Sequence, residues 1–333
     1  MPKQLLSVLL KRFTSNDINP AVLDGRTVAI IGYGSQGCAQ ALNVRDSGIS
    51  VVVGVRDTDS DSARAAAAEG FTVLPLFKAA CKADLIMLLT PDETHAKLFA
   101  DLAQNVDLAG KTVGFAHGYA YTYGLIDSPP DIDIVLISPK GIGPAVREQY
   151  VQGNGVAALI AVACDASGQA QDKALAYAAA IGSDRVAIFE TTFEEETVAD
   201  LFSEQAVIVG GMTELIRAGF ETMVDAGIAP EVAYYECVVE AKLILDMIVR
   251  DGFTGMFEKI SNTAEYGAQQ SGSRIISDTV RADMDMLMQE IKTGTFAESW
   301  NKEVADRYPS LLAQRQKWVT SQIDKTATKM RKL

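Results

Sequence analysis

The chain lacks several features that would assign it to a class at once. It has no apolar run near the roughly 20 residues that a membrane-spanning helix needs. Its four cysteines, Cys38, Cys81, Cys164 and Cys237, show no CxxC pair or other metal-binding spacing. The apolar patch within residues 1–13 ends in Lys11 and Arg12 with no small-residue cleavage site, which favours a local helix over a signal peptide. We therefore expect a cytoplasmic protein with reduced thiols and no membrane partner.

Positive charge is also scarce. The chain has 30 Lys and Arg against 43 Asp and Glu, a formal net charge of −13. Nucleic-acid binding needs a basic surface, so we expect no nucleic-acid partner. We interpret the basic cluster near the C-terminus as a solvated tail; its members are Lys325, Lys329, Arg331 and Lys332. If a protein of this net negative charge acts on an anionic substrate, its active site needs local positive charge, which divalent cations could supply.

Short apolar runs dominate the first part of the chain. TVAIIG, VVVGV, LIMLL, TVGFA, DIVLI and VAALIAVA are rich in β-branched residues and alternate with helix-like segments such as 35–48, 60–70 and 93–106. Strands that alternate with helices predict an α/β Rossmann domain with a doubly wound parallel sheet.

The pattern changes after Thr192. Apolar spacings of three and four recur over 198–220, 231–250 and 277–292, with almost no strand pattern. A length of 333 residues accommodates two domains. We expect a nucleotide-binding domain over residues 1–193 and an all-helical domain over 194–333.

A glycine-rich turn follows the first strand. A GxGxxG pattern between a strand and a helix of a βαβ unit predicts dinucleotide binding. The first glycine permits a tight turn, the second lets the backbone approach the pyrophosphate, and the third allows close helix–strand packing. The pyrophosphate then meets the helix N-terminus. The turn consists of Gly32, Tyr33, Gly34, Ser35, Gln36 and Gly37. A turn without a ligand is the alternative.

The loop after the second strand bears on the choice of nicotinamide. An acidic residue here accepts a hydrogen bond from the 2′-hydroxyl of NAD, whereas arginine accommodates the 2′-phosphate of NADP. The sequence offers Arg56 and then Asp57, Asp59 and Asp61. Three carboxylates would repel a phosphate, so we expect NADH to be favoured over NADPH, with Arg56, Asp59 and Asp61 at the cofactor. The alternative is that the aspartates only cap the next helix.

Two carboxylate pairs lie in the helical part. Asp200 and Glu204 are four residues apart, as are Glu236 and Glu240, so each pair shares a helix face. Like charges at this spacing repel and do not stabilise a helix. Facing each other, the pairs would form an oxygen-rich site suited to Mg²⁺, although glutamate pairs on solvated helices are common.

Longer motifs resemble those of ketol-acid reductoisomerases of the short-chain class. They cover roughly residues 25–300 and comprise GYGSQGCAQALN at 32–43, TPDE at 90–93, GFAHGY at 114–119, SPKGIGPAVREQY at 138–150, ETTFEEETVADLFSEQAVIVGG at 190–211, AGFETMVDAGIAPEVAYYECVVEAKLI at 218–244 and ISNTAEYG at 260–267. The resemblance implies a knotted helical second domain. It also implies conversion of 2-acetolactate and 2-aceto-2-hydroxybutyrate to 2,3-dihydroxy acids of branched-chain amino-acid biosynthesis, by alkyl migration and NAD(P)H reduction.

The resemblance also implies roles for individual residues. Two Mg²⁺ ions would be held by Asp200, Glu204, Glu236 and Glu240, with Asp200 bridging. Glu240 and Ser261 would contact the substrate, and His117, Lys140 and Glu240 would be catalytic. His117 would lie beside the nicotinamide, with the cofactor also lined by Thr90, Pro91, Asp92 and Gly143. Ser261 could instead cap a helix, and we interpret His95 as a surface or cofactor-edge residue.

Other residues depart from the family pattern. Cys38 stands where His or Arg is usual, GYAYTYG follows Phe115-Ala116-His117, Pro144 and Ala145 alter the loop after Lys140, and Val239 replaces a common His. These departures leave open a paralogous NAD(P)H-dependent reductase of 2-keto acids or imines in a specialised pathway. The family's shared active sites imply a homodimer or higher homo-oligomer.

Overall fold

The computed structural model describes residues 10–127 and 129–332. The chain divides into two compact units, Met1–Thr197 and Val198–Leu333. The division falls inside a helix, four residues after the boundary expected from the sequence. The N-terminal helix expected over residues 1–13 lies mostly outside the described residues, and Arg12–Phe13 form a strand rather than a helix.

The first unit is built on one sheet. In its described part the sheet has nine strands: β1 Arg12–Phe13, β2 Thr27–Ile31, β3 Ser50–Val55, β4 Thr72–Pro75, β5 Leu85–Leu88, β6 Thr112–Phe115, β7 Asp133–Pro139, β8 Ala158–Cys164 and β9 Ile188–Glu190. Their spatial order is β1-β9-β8-β7-β6-β5-β2-β3-β4. Strands β2 to β7 are parallel, which confirms the doubly wound sheet. Strand β8 runs antiparallel to β7.

Helices cover both faces of the sheet. They are α1 Ser35–Asp46, α2 Asp61–Ala68, α3 Leu76–Lys82, α4 His95–Asn105, α5 Tyr119–Thr122, α6 Gly143–Val151 and α7 Ala170–Ala180, with α8 Phe193–Ser203 at the end of the unit. Because side chains alternate along a strand, Val28 and Ile30 of β2 pack in one core, while Ala29 and Ile31 pack in the other. Because β2, β3, β5, β6 and β7 are parallel, their carboxyl ends lie at one edge of the sheet. This edge is called the carboxyl edge below.

The second unit is helical, as expected. It continues from α8 through α9 Gly210–Asp225, α10 Pro230–Tyr234, α11 Glu240–Phe257, α12 Asn262–Ile275, α13 Asp278–Thr293, α14 Thr295–Ala305, α15 Pro309–Thr320 and α16 Gln322–Met330. Two π-helical turns interrupt it, at Glu204–Ile208 and Tyr235–Val239. Phe220, Ala233 and Ile323 form a small core. No helix within the described ranges is long and apolar enough to cross a membrane.

A buried ion pair stabilises the amino end of the sheet, opposite the carboxyl edge. Lys173 Nζ lies 2.7 Å from Asp133 Oδ2, and the two side chains are 4% and 1% exposed. The same carboxylate accepts hydrogen bonds from Thr112 Oγ1, Ser167 N and Ser167 Oγ. Removing one partner would leave an uncompensated charge in the core.

We expect Lys173→Met to lower the free energy of unfolding by about 3–5 kcal/mol. Urea unfolding followed by circular dichroism measures it. The control is Lys97→Met, which removes an exposed lysine paired with Asp101 and should cost less than about 1 kcal/mol. Equal losses in the two variants would contradict the role given to the buried pair.

Candidate functional site

The glycine turn has the geometry that a dinucleotide needs. Gly32 has a φ of +96°, and a Cβ there would lie 2.9 Å from Thr90 Cγ2. A Cβ on Gly37 would lie 2.1 Å from the Gly32 carbonyl oxygen, whereas one on Gly34 would meet nothing within 4 Å. The first and third glycines are therefore required by packing, and the second faces open space. This arrangement fits a pyrophosphate.

The helix after the turn offers free amide donors. Helix α1 begins at Ser35, its N-cap is Gly34, and no side chain caps it. The first N–H groups of a helix have no partner within the helix and attract anions. Ser35 and Gly37 contribute their amides to this end. The side chain of Gln36 points elsewhere, since its Nε2 donates to the Gly141 carbonyl at 2.8 Å.

The loop after β3 uses its three aspartates in different ways. Asp57 Oδ1 accepts from the amide of Asp59 at 2.9 Å, and Asp61 forms an ion pair with Arg64. Ser60, not an aspartate, caps α2 by accepting from Ala63 N. The backbone amide and carbonyl of Asp59 form hydrogen bonds, whereas its exposed carboxylate has no partner among the described residues. Asp59 is thus the carboxylate available to a ribose.

The TPDE segment follows β5 beside the glycine turn. The Thr90 side chain occupies the space that a Cβ on Gly32 would enter, and its hydroxyl pairs with that of Thr94 at 2.8 Å. His95 is 1% exposed, so of its two interpretations the surface residue is wrong, and the cofactor-edge residue stays a prediction. Its Nε2 bonds with the Thr90 carbonyl at 3.0 Å, and its ring packs against Phe115. Burial lowers the pKa of His95, so this histidine supports the Thr90 turn in its neutral form.

Glu196 is the centre of a cluster that sequence reasoning missed. Its Oε2 lies 3.1 Å from His117 Nδ1 and accepts from the amide of Gly118 at 3.0 Å. Its Oε1 accepts from Ser138 Oγ at 2.8 Å and from Lys140 Nζ at 2.9 Å. The carboxylate is fully buried. One side chain therefore fixes both predicted catalytic residues of the first unit, His117 and Lys140.

Local sequence explains how the cluster assembles. His117 follows β6 and Lys140 follows β7, so parallel topology brings both to the carboxyl edge. Helix α8 carries Glu196 to them across Gly118, where a Cβ would lie 2.4 Å from Thr197 Oγ1. A readable signal existed, because Glu196 precedes Asp200 by four residues on the same helix face.

The charge balance of the cluster keeps Glu196 ionised. Burial alone would raise the pKa of Glu196, but the hydrogen bond from His117 and the charges of His117 and Lys140 lower it to about 2. The carboxylate is therefore an acceptor only. Because Glu196 accepts from His117 Nδ1, the neutral ring carries its proton on Nδ1, and Nε2 is then its acceptor.

The four predicted metal ligands lie on the helices of the second unit. Asp200 lies in α8, and Glu204 is the first residue of one π-helical turn. Glu236 lies in the other π-helical turn, and Glu240 follows it. Helical turns of this kind often occur at functional sites. Within the described residues, no group of three or more ligand side chains within 4.8 Å of one another includes Glu204, Glu236 or Glu240.

The remaining predicted site residues are placed as follows. Ser261 caps α12, with its Oγ accepting from Ala264 N at 3.2 Å. Ser261 therefore is a helix cap, the alternative considered above, and its contact with the substrate stays a prediction. Gly143 is the first residue of α6, and a Cβ there would lie 2.1 Å from the Ser35 carbonyl oxygen. The turn, Thr90, His117, Lys140 and Gly143 therefore share the carboxyl edge.

Family models match both parts of the chain. The acetohydroxy acid isomeroreductase NADPH-binding domain matches residues 22–187, and the ketol-acid reductoisomerase C-terminal domain matches residues 193–333. The chain is 39% identical to the NADH-preferring ketol-acid reductoisomerase from an uncultured archean, with 97% of this chain and 99% of that one covered and a TM-score of 0.95.

More distant structures share the fold alone. The semialdehyde dehydrogenase NAD-binding protein from Cupriavidus necator is 18% identical over 80% of this chain and 99% of that one, with a TM-score of 0.61. A pyrroline-5-carboxylate reductase from Coxiella burnetii is 13% identical over 80% and 98%, with a TM-score of 0.57.

Proposed function

The chain belongs to the ketol-acid reductoisomerase family and is an NAD(P)-dependent oxidoreductase, and from that premise we propose its substrates, metal and preferred cofactor. It converts 2-acetolactate and 2-aceto-2-hydroxybutyrate to 2,3-dihydroxy acids of branched-chain amino-acid biosynthesis, in the cytoplasm. The observation that carries this proposal is the Glu196 cluster, which fixes His117 and Lys140 at the edge where the dinucleotide turn lies.

The cluster supplies positioning for both steps of the reaction. In the first step an alkyl group moves from C2 to C3, the C2 hydroxyl loses its proton as C2 becomes a carbonyl, and the C3 carbonyl oxygen gains a proton as it becomes a hydroxyl. In the second step that carbonyl gains a hydride from NAD(P)H and a proton. Glu196 holds Lys140 as an ammonium donor beside the reacting oxygens and holds His117 with a defined proton position.

Magnesium is the metal that the carboxylates favour. Asp200, Glu204, Glu236 and Glu240 offer only oxygen ligands, and such ligands suit hard cations such as Mg²⁺. When bound, two Mg²⁺ ions would act as Lewis acids toward the vicinal substrate oxygens. Glu236 and Glu240 are exposed and have no hydrogen-bond or ion-pair partner in the described part of the chain, which suits side chains that bind an ion.

A second copy of the chain completes the helical unit in this proposal. Large apolar side chains on its helices are exposed, including Val249 at 87%, Tyr266 at 70%, Phe253 at 68% and Val319 at 63%. Exposed apolar side chains of this size suit burial against a second copy, because obligate homodimer interfaces resemble a core cut in half. Two chains would also bring the two carboxylate pairs together; among the described residues of one chain, no group of three or more ligand side chains within 4.8 Å includes Glu204, Glu236 or Glu240.

NADH is the preferred cofactor in this proposal because of Asp59. Its carboxylate is exposed and unpaired among the described residues, so it can accept from a ribose hydroxyl and repel a 2′-phosphate. Asp61 is engaged by Arg64. The similar enzyme from an uncultured archean is NADH-preferring.

Asp59→Ser should shift the NADH/NADPH ratio of kcat/KM toward NADPH by about tenfold or more. Asp61→Ser should shift it by less than about threefold, and the double variant should resemble Asp59→Ser. Asp24→Ser, an equal charge change before the amino end of β2, serves as the control. The assignment fails if Asp61→Ser has the larger effect or if the double variant leaves the ratio unchanged.

The proposed reaction is tested by following oxidation of NADH and of NADPH with 2-acetolactate, with Mg²⁺ and with excess chelator. We expect turnover that requires Mg²⁺. The other candidate is a reductase without isomerisation, suggested by the altered residues at 119–123 and 144–145. Turnover of 3-hydroxy-2-keto acids without turnover of acetolactate would favour that candidate and reject the proposal.

A further inference from the structure

A chain of hydrogen bonds leads from the core of the first unit to the loop after Lys140. Tyr177 OH donates to Gln40 Oε1 at 2.8 Å, and Gln40 Nε2 donates to Gln36 Oε1 at 3.0 Å. Gln36 Nε2 then donates to the Gly141 carbonyl at 2.8 Å. Tyr177 and Gln40 are fully buried. The chain thus connects α7, the dinucleotide turn and the residue next to Lys140.

The direction of every bond in this chain is determined by its last member. The Gly141 carbonyl can only accept, so Gln36 must present its NH₂ group there and its oxygen to Gln40. Gln40 must then present its own oxygen to Tyr177, whose hydroxyl has to donate. Burial raises the pKa of Tyr177, which keeps that hydroxyl protonated. A single arrangement of both amides therefore satisfies all four groups.

Other contacts fix the helix that follows the Lys140 loop. Asn43 Nδ2 donates to the carbonyls of Val146 and Ile181, both at 3.2 Å, and Asn43 Oδ1 accepts from Arg147 at 2.8 Å. Helix α6 is thereby held against α1 at Val146 and Arg147. These contacts do not reach residues 141–142, which lie between Lys140 and α6. The Gln36 side-chain amide holds that stretch through its bond to Gly141.

We propose that Gln36, oriented by Gln40 and Tyr177, is a positioning residue that couples dinucleotide binding to the placement of Lys140. This inference rests on the proposed function for what Lys140 does. The amides of Ser35 and Gly37 flank Gln36 at the end of α1 where the pyrophosphate would lie. A dinucleotide on the turn therefore fixes the backbone from which Gln36 reaches Gly141, and Gly141 fixes Lys140 against Glu196.

Hydrogen–deuterium exchange of the full-length protein, with and without saturating NADH, tests the coupling. In the wild type, NADH should slow exchange of the amides of residues 140–143. Tyr177→Phe and Gln36→Met should speed that exchange by about tenfold in the free protein. Gln36→Met should also abolish the slowing by NADH. Exchange in β2 should not change, which separates this effect from general destabilisation.

Tyr150→Phe is the matched control. The Tyr150 hydroxyl bonds with Ser47 Oγ at 2.8 Å, so this variant also loses a tyrosine hydroxyl that contacts the α1 segment. This hydroxyl comes from α6 rather than α7 and lies at the end of α1 far from the dinucleotide turn. Its residues 140–143 should exchange as in the wild type. If Tyr177→Phe does not fold, Gln36→Met carries the test. Wild-type exchange in a folded Gln36→Met protein would overturn the inference.

Kinetics give a second, separable result. Tyr177→Phe should lower kcat by about tenfold and change the Kd for NADH by less than about threefold, because the hydroxyl lies away from the turn. Equal loss in Tyr150→Phe would overturn the inference. The exchange measurement needs only NADH, so it gives a result even if acetolactate is not a substrate. Failure of this inference can therefore be distinguished from failure of the proposed function.

Discussion

Replacing Glu196 with glutamine should lower kcat by about 10³- to 10⁴-fold while the protein stays folded. The carboxylate accepts four hydrogen bonds, from His117 Nδ1, the Gly118 amide, Ser138 Oγ and Lys140 Nζ. Glutamine has the same shape but offers a donor in place of one acceptor oxygen. A donor group facing His117 would reverse the proton position on the ring, and the lost charge would release Lys140.

Steady-state oxidation of NADH with acetolactate measures this effect, and circular dichroism checks the fold. Because the pKa of Glu196 is about 2, the carboxylate stays ionised at neutral pH, and the defect should persist across the neutral range. Glu194→Gln is the control, since this residue is exposed in the first turn of the same helix. A Glu196→Gln enzyme within tenfold of the wild type would contradict the role assigned to the cluster.

Two inactive variants should restore activity when their chains are mixed. Asp200→Asn and Glu236→Gln each remove one proposed ligand, and each should lower kcat by at least about 100-fold. If one chain supplies Asp200 and Glu204 and its partner supplies Glu236 and Glu240, a mixed dimer has one intact site. In a purified mixed dimer one of the two sites is intact, so its activity should recover to about half of the wild type.

The control for this experiment is a mixture of Asp200→Asn with Glu204→Gln. Both changes affect the same half of the proposed site, so every mixed dimer has two broken sites and should remain inactive. Chains are co-expressed with different tags, and the mixed species is purified before assay with Mg²⁺. If neither mixture recovers activity although mixed dimers form, the sharing of ligands between chains is wrong.

Sequence patterns predicted β2, β3, β5, β6, β7 and β8 because each is an apolar run, four to seven residues long. Strands β1, β4 and β9 were missed: two have only two or three residues, and TVLP in β4 contains a proline at the sheet edge. Parallel topology explains why His117 and Lys140 lie at one edge, since both follow parallel strands, but the sequence indicated their roles only through the family resemblance.

What sequence could not predict depends on contacts between distant segments. The role of Glu196 arises where the ends of β6 and β7 meet α8. Its spacing from Asp200 indicates a shared helix face, but the sequence indicates neither the burial of this carboxylate nor its partners. In the loop after β3, the pairing of Asp61 with Arg64 depends on how α2 begins. The sequence spacing did not show which of Asp59 and Asp61 is available to the cofactor ribose. The structure distinguishes them, because Asp61 pairs with Arg64.

The identity of the product tests the central claim most directly. After reaction with 2-acetolactate, NADH and Mg²⁺, nuclear magnetic resonance distinguishes the two possible diols by their carbon skeletons. Isomerisation followed by reduction predicts 2,3-dihydroxy-3-methylbutanoate, in which both methyl groups are on C3. Formation of 2,3-dihydroxy-2-methylbutanoate, in which one methyl group stays on C2, would show reduction without alkyl migration and would contradict the account.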